Sequence, residues 1–401
     1  MSKLNLSNQN WRTEALKPEG PACLIIRAWL EPVAGMDRFQ PAGFPEIGHV
    51  IYDAPRENGH PEKVCVVDSP ASMANHLEAV CLDGLTGNLY RDLAGLPYVR
   101  CVTDKDDSPS RDDTLETLVC TTLTEGHRLA SDYFLDGLVN LQWKLEDKKQ
   151  TKNKEEYILG QWSGKKFRDQ LREEFGIKEV KKDKTYFIWP ATWWEIYRTI
   201  FKYDPNSLVH GVMFAKEQIK LSRIITPHME AFGAARVGRS GVKFDRLGKT
   251  TSGQPIFAVD DTTAHSVVAT FILDLALLRS YGRGDEGLNE NQKRLLLDLA
   301  VWKIRRLLQV PFRFRTGCHL VCTGIGWCDD TDDSKVPDKS SHKPDNISVD
   351  IKSSITTCKF DAPVKVYYPA SELFKAVPES EAAAREAGQA AELENDESEG
   401  N

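Results

Sequence analysis

The chain has 401 residues, 41% hydrophobic and 28% charged, enough for a large core in two or three domains, or in one domain with insertions. No apolar run approaches the roughly 18 residues of a membrane span. The opening MSKLNLSNQNWRTE lacks the apolar stretch of a secretory signal, and nine cysteines at irregular spacing point to reduced thiols and a cytoplasmic location. The net charge of −7 is uneven: residues 378–401 hold eight acids and one base, so the remainder is balanced and a local basic groove is not excluded.

In chain order, residues 1–20 read as a polar lead-in. CLIIRAWL (23–30) is a buried first strand with Arg27 as its only charge. A Gly/Pro-punctuated loop (31–48) leads to a strand at 49–52, a turn-rich connection (55–61) and a short strand at 64–67. A helix is predicted over 69–82, with Pro70 at an early position where its missing N–H costs little. Met73, Leu77 and Val80 form its apolar stripe; Ser72, Asn75, His76 and Ala79 form a small, polar one. An acidic loop (103–113) precedes LTEGHRLASDYFLDG (123–137), where a helix is expected near Ser131. Residues 144–184 are a Lys/Glu-rich insertion with little apolar periodicity. An aromatic helix follows at 193–203, between Pro190 and Pro205.

Residues 208–214 alternate as a strand, and 215–260 are irregular, glycine-rich and scattered with cations. Helices are predicted over 263–280, from Val267, Phe271, Leu275 and Leu278, and over 289–308, with Asn289 and Gln292 in capping-box spacing and Pro311 beyond the end. Residues 312–325 read as one strand, 329–347 as a polar loop, 364–368 as a last strand and 378–401 as a disordered acidic tail. Strands interleaved with helices suit either α+β or α/β, and periodicity does not choose between them.

Five segments carry chemistry. RFQPAGFPEIG (38–48) offers Arg38, Gln40, two aromatics and backbone N–H groups around its glycines, fit for phosphate or simply a tight turn, with Phe39 as a core plug. DSPASMANHLE (68–78) presents Ser72, Asn75 and His76 near a helix start, where anions are favoured; the alternative is a solvated face. GHRLASDY (126–133) holds the cationic pair His127 and Arg128. The others are DPNSLVHG (204–211) and PFRFRTGC (311–318). In the latter, period-two geometry puts Arg313 and Arg315 on one face and Phe312 and Phe314 on the other. That arginine pair suits RNA, an exposed sheet face or a salt bridge between subunits.

These five segments, in this order, resemble the backbone subunit of the type I-U (I-G) CRISPR surveillance complex, Cascade. The resemblance runs in patches from about residue 20 to 325, leaving out the 144–184 insertion and the tail. It implies an α+β fold: a modified RNA-recognition-motif (ferredoxin-like) palm with an antiparallel sheet, inserted fingers and a thumb, all within residues 1–377. It implies a non-catalytic subunit that polymerises head to tail along CRISPR RNA and presents it to target DNA, beside other Cascade subunits and a separately recruited helicase-nuclease. Gripping a guide of any sequence requires backbone contacts, since base contacts would restrict the guide. The residues expected to touch RNA are Arg27, Arg38, Gln40, Phe44, Ser72, Asn75, His76, His127, Arg128, Arg223, Arg236, Arg239, Lys243, Arg313 and Arg315. Residues 221–249 are the thumb candidate, with Val242 and Phe244 as wedge residues by analogy; a plain surface loop is the alternative.

Other chemistries are weaker. Cys318, His319, Cys322 and Cys328 match no common zinc spacing, and no cofactor is expected. An RNA endonuclease of the same superfamily would use His76, His127 and Asp68 or Asp132, but no acid–base pair stands at a fixed spacing.

Overall fold

The computed structural model describes residues 4–44, 48–103, 117–145, 160–180, 185–238, 260–309, 311–332 and 336–373. The strand Cys23–Pro32 alternates buried and half-buried side chains for most of its length. Leu24, Ile26, Ala28 and Leu30 point into the core, while Ile25, Arg27 and Trp29 line the opposite face. It pairs antiparallel with Ser266–Asp274 on one side and Cys318–Asp329 on the other. Seven antiparallel strands result, in spatial order 312–315, 318–329, 23–32, 266–274, 225–232, 62–68 and 51–54. Helices Pro70–Ala79 and Pro205–His210 pack on Ile225–Phe232. Glu290–Leu308 lies against both of those helices and against Trp11–Leu16 and Ile351–Cys358, so it is buried almost all round, Lys293, Asp298 and Lys303 included. The chain is α+β.

A second, five-stranded sheet is ordered 160–166, 138–145, 364–367, 99–103 and 117–121, with a parallel pair between Val364–Tyr367 and Val99–Thr103. The expected helix over 263–280 is instead the strand Ser266–Asp274 followed by the short helix Leu275–Ser280. The apolar spacing fits a helix, but Val267, Val268, Thr270 and Ile272 are β-branched, and the run is buried in the middle of a sheet. Asp274 then caps the helix through its carboxylate and the Leu277 N–H, at 2.7 Å.

The expected strand at 208–214 is a helix, Pro205–His210, then Gly211 at φ 81° and a strand, Val212–Phe214. Pro205 at the first helical position presets the turn. Residues 312–325 are a hairpin, with Gly317 at φ 80° between Phe312–Arg315 and Cys318–Asp329. Further helices fall where none was expected, at Trp11–Leu16, Ile351–Cys358, Ala370–Leu373 and Phe167–Phe175. The last buries Phe167, Leu171 and Phe175 at i, i+4, i+8 within the insertion. The capping box at Asn289 and Gln292 forms as read. No helix among the described residues is long and apolar enough to cross a membrane.

Candidate nucleic-acid interface

Strand Glu62–Asp68 ends at a carboxylate with 1% of its side chain exposed. Ser69 then caps helix Pro70–Ala79, accepting from the Ser72 N–H at 3.2 Å. Nearly two turns on, His76 turns back, and its Nε2 lies 3.2 Å from Asp68 Oδ2. From the far edge of the sheet, Arg315 reaches over. Its Nη2 donates to Asp68 Oδ1 and its Nη1 to the Val67 carbonyl, both at 2.6 Å. Burial pushes the Asp68 carboxyl up, but the His76 contact, the Arg315 charge and Ser72 outweigh it and hold the pKa below the usual carboxylate range. Phe312 and Phe314 each meet the His76 ring edge-on, with centroids 5.2 Å away. The two phenylalanines share a face as predicted.

The arginines of that strand part company, because a register shift falls between them. Arg313 is exposed and donates to the Thr316 hydroxyl at 2.9 Å, whereas Arg315 serves the internal pair with Asp68.

The loop 38–44 threads between these parts. The Gln40 N–H donates to the Gly317 carbonyl and the Ala42 N–H to the Val67 carbonyl, both at 2.9 Å. Phe39 is buried, as expected of a core plug. Arg38–Phe39 pairs with Asp261–Thr263, which pairs with Ala235–Val237. In that small sheet Arg236 lies across from Thr262 and Phe39, while Arg38 lies across from Thr263, so the two arginines project to opposite faces. Arg38 leans on Asp261 at 3.7 Å. Arg236 leans on Asp260 at 3.8 Å and donates to the His49 carbonyl at 3.5 Å. The His49 ring is buried, and among the described residues neither nitrogen has a hydrogen-bond partner; burial lowers its pKa, and the Arg236 charge adds to that.

Gln40, Ser72, His76 and Arg315 thus gather around the end of strand Glu62–Asp68, with Arg236 at the His49 carbonyl and Arg313 exposed on the hairpin. Phe44 pairs with Gly48 through its backbone. Asn75 is exposed farther along the helix. Arg239 and Lys243, with the rest of 239–249 of the thumb candidate, lie outside the described residues, as does the tail. The first part of that candidate, Ile225–Phe232, is a strand of the main sheet.

The other two segments meet at the far end of the same helix. Arg128, at φ 53°, clasps Glu78 with Nε at 2.7 Å and Nη2 at 2.8 Å. Asn206 donates to the same carboxylate at 2.6 Å and contacts the buried Lys303 through its side-chain oxygen. Ser207 donates to Asp204 at 2.6 Å, and burial pushes the Asp204 carboxyl up to about 7. Arg128 is thus engaged inside the fold through all three guanidinium nitrogens. His127 and Arg223 stand exposed beside it. Arg27 sits apart from both places, half-buried on the open sheet face, in register with Thr270 and, one strand on, His228. Sequence reasoning missed the structural roles of Asp204, Asn206, Lys303 and His49. DPNSLVHG shows only a helix-starting Asp-Pro, and nothing local announces a buried charge network. Among the described residues no three metal-ligating side chains cluster.

The family model described as "CRISPR-associated protein GSU0053 (Cas_GSU0053)" matches residues 24–236. That is more than half of the chain, which belongs to this family. A solved chain from a "CRISPR RNA-guided surveillance complex, pre-nicking" overlaps with 14% sequence identity and a TM-score of 0.32, over 76% of this chain and 77% of that one; at that score it decides nothing about fold or role. No curated protein matches the chain.

Proposed function

We propose that the chain is a non-catalytic RNA-binding subunit of a CRISPR surveillance complex of the type I-U (I-G) kind, polymerising head to tail along the guide. One observation carries this reading. Three segments far apart in sequence, 38–44, 67–76 and 312–317, interlock through Asp68 and through the Val67 and Gly317 carbonyls, with exposed arginines nearby. Such a surface presents small polar side chains and cations, which suit phosphate and sugar rather than base edges. The strand order 318–329, 23–32, 266–274, 225–232 supports a ferredoxin-like palm, with the first strand central, the last beside it and the third on its other side. Membership of a CRISPR-associated family supports the setting.

The test is RNA binding by Arg236→Glu/Arg313→Glu. Affinity should fall alike for unrelated guide sequences, and the slope of log K against log salt should shrink by about 0.7 per lost contact. A loss confined to one sequence, or none, contradicts the proposal.

An endonuclease would need the 3.2 Å contact between His76 and Asp68 to work as an acid–base pair. Arg315 already occupies the other carboxylate oxygen. Guide RNA left with the protein and magnesium should stay intact; cleavage abolished by His76→Ala would establish the enzyme instead.

A further inference from the structure

Beyond Glu78, at the end of the helix away from Asp68, a cavity of about 570 Å³ opens between residues 126–128, 210–213 and 220–226. Its rim carries exposed His127, Lys220 and Arg223. Among the described residues no acidic side chain lines it, although Glu125 lies 3.4 Å from His127 Nδ1 just outside. Arg128 closes one end, its Nη1 shared between the Gly126 and Gly211 carbonyls at 3.4 and 3.3 Å. Gly211 keeps the walls tight: at φ 81°, a Cβ there would meet the Leu221 carbonyl oxygen at 2.8 Å.

The telling residue is His210. It lines the cavity, is only 3% exposed, and neither ring nitrogen has a partner among the described residues. Burial, helped by Lys303, Arg128 and Arg223, lowers its pKa well below the usual value, so the ring is neutral with one N–H to donate. A buried donor left without an acceptor is destabilising, and an accepting ligand would relieve that.

We propose that this cavity holds a backbone phosphate of a nucleic-acid strand, with the His210 N–H and Arg223 as its donors and Lys220 as counter-charge. It is a second contact, separate from the surface around Asp68 and about 15 Å along a ten-residue helix from it. The proposal rests on the RNA-binding reading and extends it to a new place. Two features favour nucleic acid over an acidic peptide. Exposed Met213 beside the cations offers an apolar flat for a sugar or base. Thr226 joins the cavity to the open sheet face. The strand is either the guide or the target paired with it.

The experiment uses the full chain and labelled oligouridylate, alone and annealed to complementary DNA. Lys220→Glu/Arg223→Glu should weaken binding at least about tenfold and cut the salt slope by about 1.4, two contacts at 0.7 each. His210→Phe should weaken binding at unchanged slope, because a neutral donor releases no counterion. An effect on RNA alone assigns the guide; an effect only with the complementary DNA assigns the target strand. If Lys220→Glu/Arg223→Glu changes neither probe while Arg236→Glu/Arg313→Glu weakens both, the second site is overturned and the RNA-binding reading survives. If neither pair of changes matters, both fall. Capture of a peptide of residues 378–401, lost in Lys220→Glu/Arg223→Glu while RNA affinity holds, would overturn the nucleic-acid assignment. Should His210→Phe fail to fold, the exposed pair alone decides.

Discussion

Asp68 ties three elements together: its own strand, the helix through His76 and the edge hairpin through Arg315. Removing one partner of a buried ion pair costs about 3–5 kcal/mol. Arg315 is 23% exposed, so Asp68→Asn should cost less, about 2–3 kcal/mol, read from the urea midpoint at constant m. Because the folded Asp68 has a lowered pKa, its stabilisation is present above the ordinary carboxylate pKa and lost as pH falls through the lowered value. The gap between native and Asp68→Asn should therefore close in acid; a gap constant from neutral pH to about pH 2 would mean the charge does not matter.

Asp204 has the opposite sign. Its folded pKa is raised to about 7 against roughly 3.9 unfolded, so native protein holds a proton that unfolded chain has released. Stability should fall as pH rises from about 4 to 7, by on the order of 4 kcal/mol at most. Asp204→Asn should remove that slope. A native slope of zero across this window would place the buried carboxylate in a charged, well-paired state.

At the scale of elements, the hairpin turn positions the loop. Gly317 has φ 80°, and a Cβ there would stand 3.1 Å from Gln40 Cβ and Oε1. Gly59 has φ 77° with open space around it. Both alanine changes incur the left-handed backbone cost of about 1–2 kcal/mol, but only Gly317→Ala should also lower RNA affinity, by displacing Gln40. Equal affinities in the two variants would mean the loop does not touch RNA.

The same scale shows what a sequence reveals. Helix Glu290–Leu308 is legible because its capping box and periodic apolar residues agree. Ser266–Asp274 is not, because a buried strand and a buried helix share a short apolar run. The meeting of 38–44, 68–76 and 312–317 is invisible in the sequence: Asp68 and Arg315 are 247 residues apart, and only the sheet order brings them together. Arg128 looks like a free cation and is a structural one, since its partner Glu78 lies on another element.

At the scale of the molecule, net charge misleads. The −7 sits in residues 378–401, outside the described residues, while the groove beside His210 is cationic. Deleting everything after Val377 should leave folding and assembly intact and, if the tail competes with nucleic acid, raise low-salt affinity for non-specific RNA, a gain that fades as salt screens it. Loss of assembly on deletion would mean the tail docks on a neighbour.

The proposed assembly along a guide requires a heterologous interface that does not close on itself. Co-expressed with its partner subunits and CRISPR RNAs of increasing length, the chain should elute as a ribonucleoprotein several times the monomer mass, measured by light scattering, with mass rising in steps of one 45.1 kDa chain. A nucleic-acid-free monomer, or a particle of constant mass at every guide length, would contradict the account.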